Sequence, residues 1–386
     1  MSSTEDRPPR PIARGDVVAA YSEHLGEWTA AQITRVERAT RTVAVLELDW
    51  SGPEPCSVAD LGPELKPATM TPSPPLGARQ LVHSRLPWVL PRSHKVIGST
   101  AVLPAGPVVN ECPMWTLGLD LGRRRHGAHW PYQDSWVNCL AEDLAPMLDG
   151  EPDPVVRELT VGEIEELDCA RLVTRFPLLT SLILVGDLGR LVHPASLNRL
   201  RSLRHLTITD LSGPTAADRL LPGELSALEW LSLDRVPIDY AEAVAAAWQG
   251  EVRHGVDLRI GRAMAPEWFA ANRDNPLRDW EGRAELDQYT YQRCLVQYRS
   301  TREAVLAALA DQAGTDRLTE LGQAYGAAFR RLDNGIGFIG YEETGVLWES
   351  LNRVVEEAAA GADLSEVKRV LWDGLRSGLR GEPSES

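Results

Sequence analysis

The sequence predicts a chain of mixed α/β class: a small N-terminal β unit, a central stack of parallel strands and a C-terminal helical bundle. Three patterns predict it. Between residues 14 and 61, short apolar runs and one alternating stretch are separated by Gly, Ser and Pro turns. Between about 152 and 262 a leucine pattern recurs at close to 24 residues. From 263 onward, apolar residues recur at the three-to-four-residue spacing of a helix face. The length of 386 residues matches two or three domains.

The chain begins with a polar, Pro-containing stretch, 1–13, read as disordered. Asp16–Tyr21 reads as a strand, His24–Glu27 as a turn, Trp28–Val36 as a second strand and Thr42–Trp50 as a third. In the third, Val43, Val45, Glu47 and Asp49 alternate with Ala44, Leu46, Leu48 and Trp50, as in a strand with two unlike faces. Ser51-Gly52-Pro53 turns the chain and Ser57–Leu61 closes a unit spanning 14–65. The stretches Gly15–Ala19, Gly26–Ala30, Leu48–Gly52 and Val58–Leu61 resemble an SH3-like barrel of the Tudor or Agenet type. That resemblance implies an aromatic cage for methylated lysine or arginine, held by cation–π attraction, with Tyr21, Trp28 and Trp50 as its candidates. Leu48 stands where the family often has another aromatic, and the alternative role for Trp28 and Trp50 is barrel core or interdomain packing.

Residues 66–78, rich in Pro, Ser and Thr, read as a linker. The segment 79–150 carries Trp88, Trp115, Trp130 and Trp136 and short strand-like runs at Val96–Gly98, Ala101–Leu103 and Trp115–Leu119. It belongs either to a second β unit or to a cap of the strands that follow.

The leucine pattern is clearest at Leu179-Thr-Ser-Leu182-Ile-Leu184, Leu203-Arg-His-Leu206-Thr-Ile208 and Leu228-Glu-Trp-Leu231-Ser-Leu233. Weaker copies lie at Val156–Val161 and Val256–Ile260. Its last two apolar positions are two apart, as a strand with one buried face requires, and the rest of each unit returns to start a parallel neighbour. The anchors Leu159, Leu182, Leu206, Leu231 and Leu258 are 23, 24, 25 and 27 residues apart. This resembles a short leucine-rich repeat array over 151–262. The family's usual Asn or Cys after the strand is replaced by Asp187, Leu211 and Val236, which predicts an irregular array. The residues between the leucines face the open side. That face presents His205, Trp230, Asp234, Asp257 and Arg259 as a candidate partner-binding patch, with the aromatic-plus-charged composition of an interface hot spot. The alternative is that flanking segments cover the face and Trp230 is core.

Residues 263–380 read as a helical domain. Tyr291 to Leu309, Leu318 to Leu332 and Leu347 to Ala358 mark three helices, and Asp363-Leu-Ser-Glu366 resembles a capping box opening a fourth. Gly335-Ile-Gly337-Phe-Ile-Gly340 matches G-x-G-x-x-G, but a helix pattern precedes it where a dinucleotide site needs a strand, so it reads as an interhelical turn. Cys112, His126, His129 and Cys139 lack the short C-x-x-C pairing of a zinc site, and no metal or cofactor is expected. No G-x-S-x-G, Walker or H-E-x-x-H motif appears in the right context, and no catalytic residue is assigned.

Net charge is −15, and no segment is strongly basic, which argues against a surface that tracks nucleic-acid phosphates. No apolar run reaches membrane-spanning length, the N-terminus lacks a signal-peptide core, and five scattered cysteines fit a reduced compartment. The expected location is cytoplasmic, and the oligomeric state leaves no mark in the sequence. Three function classes stand: a protein-interaction scaffold with a protein partner, a regulatory or immunity-type protein that neutralises one partner, and an enzyme with an unrecognised site.

Overall fold

The computed structural model describes residues 12–70, 79–108, 110–111, 114–127, 135–333, 335–358 and 364–381. The stretch 1–11, the linker core 71–78, and Cys112, His129 and Trp130 lie outside the described residues. The chain forms two compact units, Met1–Phe269 and Ala270–Ser386. The fold is mixed α/β, with a largely antiparallel sheet first, a parallel sheet next and helices last.

The antiparallel sheet contains β1 (Asp16–Ser22), β2 (Glu27–Glu37), β3 (Thr42–Gly52), β4 (Val82–Pro87), β5 (His94–Ser99) and the two-residue β6 (Asn110–Glu111), in the order β5-β1-β2-β3-β4-β6. Its central strands are buried on both faces. Val18, Ala20, Ala31, Ile33, Val43 and Val45 pack with Leu86, Trp115 and Leu117 on one side. Val17, Ala19, Ala30 and Leu48 pack with Leu61 and Ile97 on the other. The small Ala and Val side chains let two layers close on one sheet. Glu47, on the buried side, is fully enclosed; His83 Nε2 lies 2.7 Å from one carboxylate oxygen and Gly118 N–H donates to the other at 3.1 Å. The closing stretch Ser57–Leu61 forms a 3-10 turn, in which Asp60 folds back to accept from the Cys56 and Ser57 amides.

The segment that the sequence leaves unassigned is divided between the two sheets. β4 and β5 complete the first, whereas Ala101–Leu103 forms no strand, and Trp115–Gly118 leads into helix α1 (Leu119–His126). The Arg123-Arg124-Arg125 run is the last turn of α1, where cations meet the carbonyl end of a helix; Arg124 pairs with Asp49 and Arg125 with Glu27. β7 (Trp136–Leu140), with helix α2 (Ala141–Met147) after it, joins the second sheet.

That sheet continues through β8 (Glu158–Asp168), helix α3 (Cys169–Arg175), β9 (Ser181–Val192), β10 (His205–Ser212) and β11 (Trp230–Asp234). The short β12 (Val236–Pro237), helix α4 (Ile238–Trp248), β13 (Asp257–Ile260) and β14 (Ala263–Met264) follow. The order is β13-β11-β10-β9-β8-β7, every pair parallel. The leucine spacing sets the register: Leu159, Leu182, Leu206, Leu231 and Leu258 stand opposite one another across five strands. Leu159 to Leu231 are buried in one core with Leu184, Ile208 and Leu233, closed from below by Phe176, Tyr240 and Trp248. Leu211 and Val236 are buried too, joining the same core. Glu163, Asp210 and Arg235, each four residues past an anchor leucine, take left-handed backbone at φ 52, 56 and 50°, the first two at register shifts within β8 and β10 and the third just past the end of β11.

Helix α5 (Pro266–Asn272) leads to the second unit, built from α6 (Gln288–Ala310), α7 (Thr315–Leu332), α8 (Tyr341–Ala358) and α9 (Ser365–Arg380). α9 starts after Leu364 with no side-chain cap, and Asp363 lies outside the described residues, so the expected capping box is not formed by the residues that are described. The core holds Trp280, Tyr291, Tyr325, Phe329, Leu351 and Leu371. Gly322 and Gly326 of α7 lie against the Leu371 and Leu375 carbonyls of α9, and Gly374 and Gly378 lie against the Thr319 and Gln323 carbonyls, so the two backbones touch where no side chain intervenes.

Candidate functional site

The face of the parallel sheet opposite the leucine core carries three rows of side chains, because alternate residues of a strand point to opposite faces. The first row is Trp136, Glu158, Ser181, His205, Trp230 and Asp257. The second is Asn138, Thr160, Ile183, Thr207, Ser232 and Arg259, and the third runs from Leu140 through Val185 and Thr209 to Asp234.

Of the five residues expected to form one open patch, His205, Trp230 and Asp257 stand side by side on neighbouring strands and Arg259 reaches both Trp230 and Asp257, but Trp230 is covered. The antiparallel sheet packs over the first row near β10 and β11 through the loop between β4 and β5. Arg92 donates to the Ser226 carbonyl at 2.6 Å and pairs with Glu251 at 3.0 Å, and Ser93 N–H donates to Glu229 at 2.7 Å. Trp230 is therefore only 8% exposed, its Nε1 donating to Thr207 Oγ1 at 3.3 Å and its ring covered by the Arg259 guanidinium at 4.1 Å. Arg259 remains exposed and binds Asp257 at 3.0 Å. Asp234 is held by Arg262 at 3.0 Å and faces Arg235 at 3.8 Å, and these contacts outweigh its burial and keep its pKa low. Beside it, the buried pair Arg235–Asp210 closes at 2.5 Å, and burial pushes the Asp210 carboxyl up to about 6.

The open part of the face lies nearer its other edge. Trp136 is 56% exposed, Leu140 38% and Val185 36%, with Ile183 half-buried among them. Trp136 was not assigned to this face from sequence. Its signal is a degenerate copy of the pattern, Trp136-Val137-Asn138-Cys139, with Val137 in register with Leu159 and Cys139 with Val161.

His24, His94 and His205 gather where the antiparallel sheet meets the first row, together with Arg204 and Glu229. Burial lowers all three imidazoles: His24 to about 4, with Arg123 adding to the effect; His94 to about 3, with Arg204 and His205; and His205 to about 4, with Arg204 and His24. A folded-state pKa below the unfolded value of about 6.5 means that unfolding takes up protons. The stability from keeping these rings neutral is complete above pH 6.5 and is lost as pH falls towards 4, by about 1.4 kcal/mol per pH unit for each ring. Asp210 and Glu229, raised by burial, act in the opposite sense. The expected result is that His205→Gln flattens the dependence of stability on pH between 6.5 and 4 by about one proton. Urea titrations at a series of pH values measure it; an unchanged slope means that His205 is solvated in the folded protein.

The other sequence candidates fall elsewhere. Tyr21 and Trp28 meet edge to face at 6.4 Å, and Trp28 and Trp50 pack against the Val17–Leu48 cluster. Lys95 of β5, paired with Glu54 at 2.6 Å, holds its ammonium 4.7 Å above the Trp28 ring, so an internal cation already takes that face. In the G-x-G-x-x-G loop between α7 and α8, Asp333 accepts from the Phe338 and Ile339 amides at 2.6 and 3.2 Å and Glu343 from Gly340 at 2.8 Å. The Phe338, Ile339 and Gly340 amides are thus engaged by the chain's own carboxylates, and those of Ile336 and Gly337 by the Asp333 carbonyl. Of the zinc candidates, only His126 and Cys139 are described, and among the described residues no group of three His, Cys, Asp or Glu is placed to hold a metal. Among them, too, no helix is long and apolar enough to cross a membrane. No protein-family model, curated protein or solved structure matches the chain.

Proposed function

We propose that the chain is a protein-interaction scaffold, a short leucine-rich repeat array joined to an SH3-like unit of Tudor type and a helical unit, which binds a protein partner on the open face of its parallel sheet. The observation that carries this reading is the in-register exposure of Trp136, Leu140 and Val185 beside Ile183 on one sheet face. Exposed apolar side chains with an aromatic anchor are what an interface core requires, and Asn138, Thr160 and Thr207 supply polar contacts on the same face. Arg259, stacked on Trp230, bounds the patch at its far end. The free thiols Cys56, Cys139, Cys169 and Cys294 support a reducing, cytoplasmic setting.

The regulatory reading uses the same surface. It is favoured by the exposed Glu163, Glu165 and Glu166 of β8 beside the patch, which suit a basic partner.

The test is affinity capture from the native host, with wild type compared against Trp136→Ala and Val185→Asp. Both variants are expected to keep the wild-type melting curve and to lose a partner that the wild type retains. Retention of every partner by both variants would place binding elsewhere. Trp230→Ala is expected to lower the melting temperature, because that ring is core.

A further inference from the structure

Inside the N-terminal unit a cavity of about 110 Å³ lies between the β1–β2 turn, the Trp115 loop and the first row of the parallel sheet. It is well above the roughly 10–15 Å³ that one water needs and well below the roughly 300–1,000 Å³ of sites for drug-sized ligands. Its polar lining combines donors and acceptors. Arg204 sits among His94, His205 and Glu229, and among the described residues its guanidinium forms no hydrogen bond or ion pair. The Ser22 hydroxyl and His94 Nε2 are buried without a hydrogen-bond partner. His94 Nδ1 lies 2.9 Å from Ser93 Oγ, so with its proton there the ring presents Nε2 as an acceptor. Glu229, oriented by the Ser93 amide, and Glu158 add carboxylates.

We propose that this cavity binds a small protonated oxyanion of the phosphate class. The ionised oxygens accept from Arg204 and the Ser22 hydroxyl, while the remaining P–OH groups donate to Glu229 and to His94 Nε2. One guanidinium beside two carboxylates repels a fully ionised dianion, whereas a monoanion with hydroxyl donors satisfies both kinds of group. A fully ionised sulfate has no proton to give, and facing Glu229 it leaves buried acceptors opposed, a mismatch worth a factor of about ten or more. The charged and titratable groups facing the site are Arg204, Glu158, Glu229, His24, His94 and His205, with Arg123 behind His24 and Glu23 at the rim. The imidazoles stay neutral and the ligand binds in its more protonated form, so affinity rises as pH falls from 8 to 6.

The experiment is calorimetry on the full chain with inorganic phosphate, sulfate and glycerol phosphate at pH 6, 7 and 8. Saturable phosphate binding that strengthens at lower pH and is at least about tenfold weaker for sulfate supports the site. Glycerol phosphate binding as well as phosphate assigns a phosphate monoester, and phosphate alone assigns the free ion. Arg204→Gln is expected to abolish binding, and Glu229→Gln, which keeps an acceptor for the Ser93 amide, to let sulfate bind. No saturable heat with phosphate, equal affinity for sulfate, or undiminished binding by Arg204→Gln overturns the proposal. If Arg204→Gln fails to fold, the sulfate affinity of Glu229→Gln decides: a gain supports the site, and no change overturns it.

Discussion

Gly326→Val unfolds the helical unit. A Cβ at Gly326 of α7 lands on the Leu375 carbonyl oxygen of α9, with the Leu379 amide nitrogen 2.8 Å away. Both are backbone atoms of a packed helix, so neither can rotate aside, and valine adds two branches at that point. The expected cost exceeds about 4 kcal/mol, in the range reserved for a forced separation of core elements. The smaller change Gly326→Ala separates packing from propensity. Helix propensity alone favours alanine by about 1 kcal/mol, yet here the expected sign is destabilising. Gly345 of α8 is the control: nothing lies within 4 Å of its missing Cβ, so Gly345→Ala is expected to stabilise by about 1 kcal/mol. Denaturant titration of the three variants measures this. A stabilised Gly326→Ala would mean that α7 and α9 do not touch through their backbones.

Leu206→Ala is expected to destabilise the N-terminal unit by about 2–5 kcal/mol. Leu206 is fully buried on β10 between Leu182 and Leu231, and its methyl groups are walled by the neighbouring strands' leucines, so the lost volume cannot collapse. Leu258→Ala, on strand β13 at the end of the sheet and only partly buried, is expected to cost less. Equal losses for the two would mean that Leu206 has no more packing to lose than a rim residue. Thermal or urea unfolding of both variants decides it.

The leucine ladder was legible because a buried parallel strand repeats its demand at fixed spacing, and Leu179 to Leu233 meet that demand three times. The helices were legible for the same reason: Tyr291, Leu318 and Leu347 each open a run at helical period. What escaped depends on contacts between distant segments. Nothing near Trp230 announces that Arg92 and Ser93 reach across to Glu251, Ser226 and Glu229 and close the face above it. Composition described an anchor-like tryptophan; which tryptophan stays open, Trp136 or Trp230, is decided by residues more than a hundred positions away. The Lys95–Trp28 contact joins β5 to β2, and so does not show in local sequence either. His24, His94 and His205 were similarly invisible as a group, since each is unremarkable where it stands.

The common register of the leucine strands makes the array tolerant of length changes in one quantum only. Thr180 and Arg204 occupy equivalent places, since the amide following each anchor loop reaches back to the preceding strand, Thr180 to the Arg157 carbonyl and Arg204 to Thr180. Excising residues 180–203 joins Leu179 to Arg204 and lets Leu206 take the place of Leu182 opposite Leu159, with a shorter sheet and an intact pattern. Removing Ser181 alone shifts the following residues by one and turns Leu182 and Leu184 towards the open face. The large deletion is therefore expected to be the milder lesion, and the loss of one residue the more damaging one.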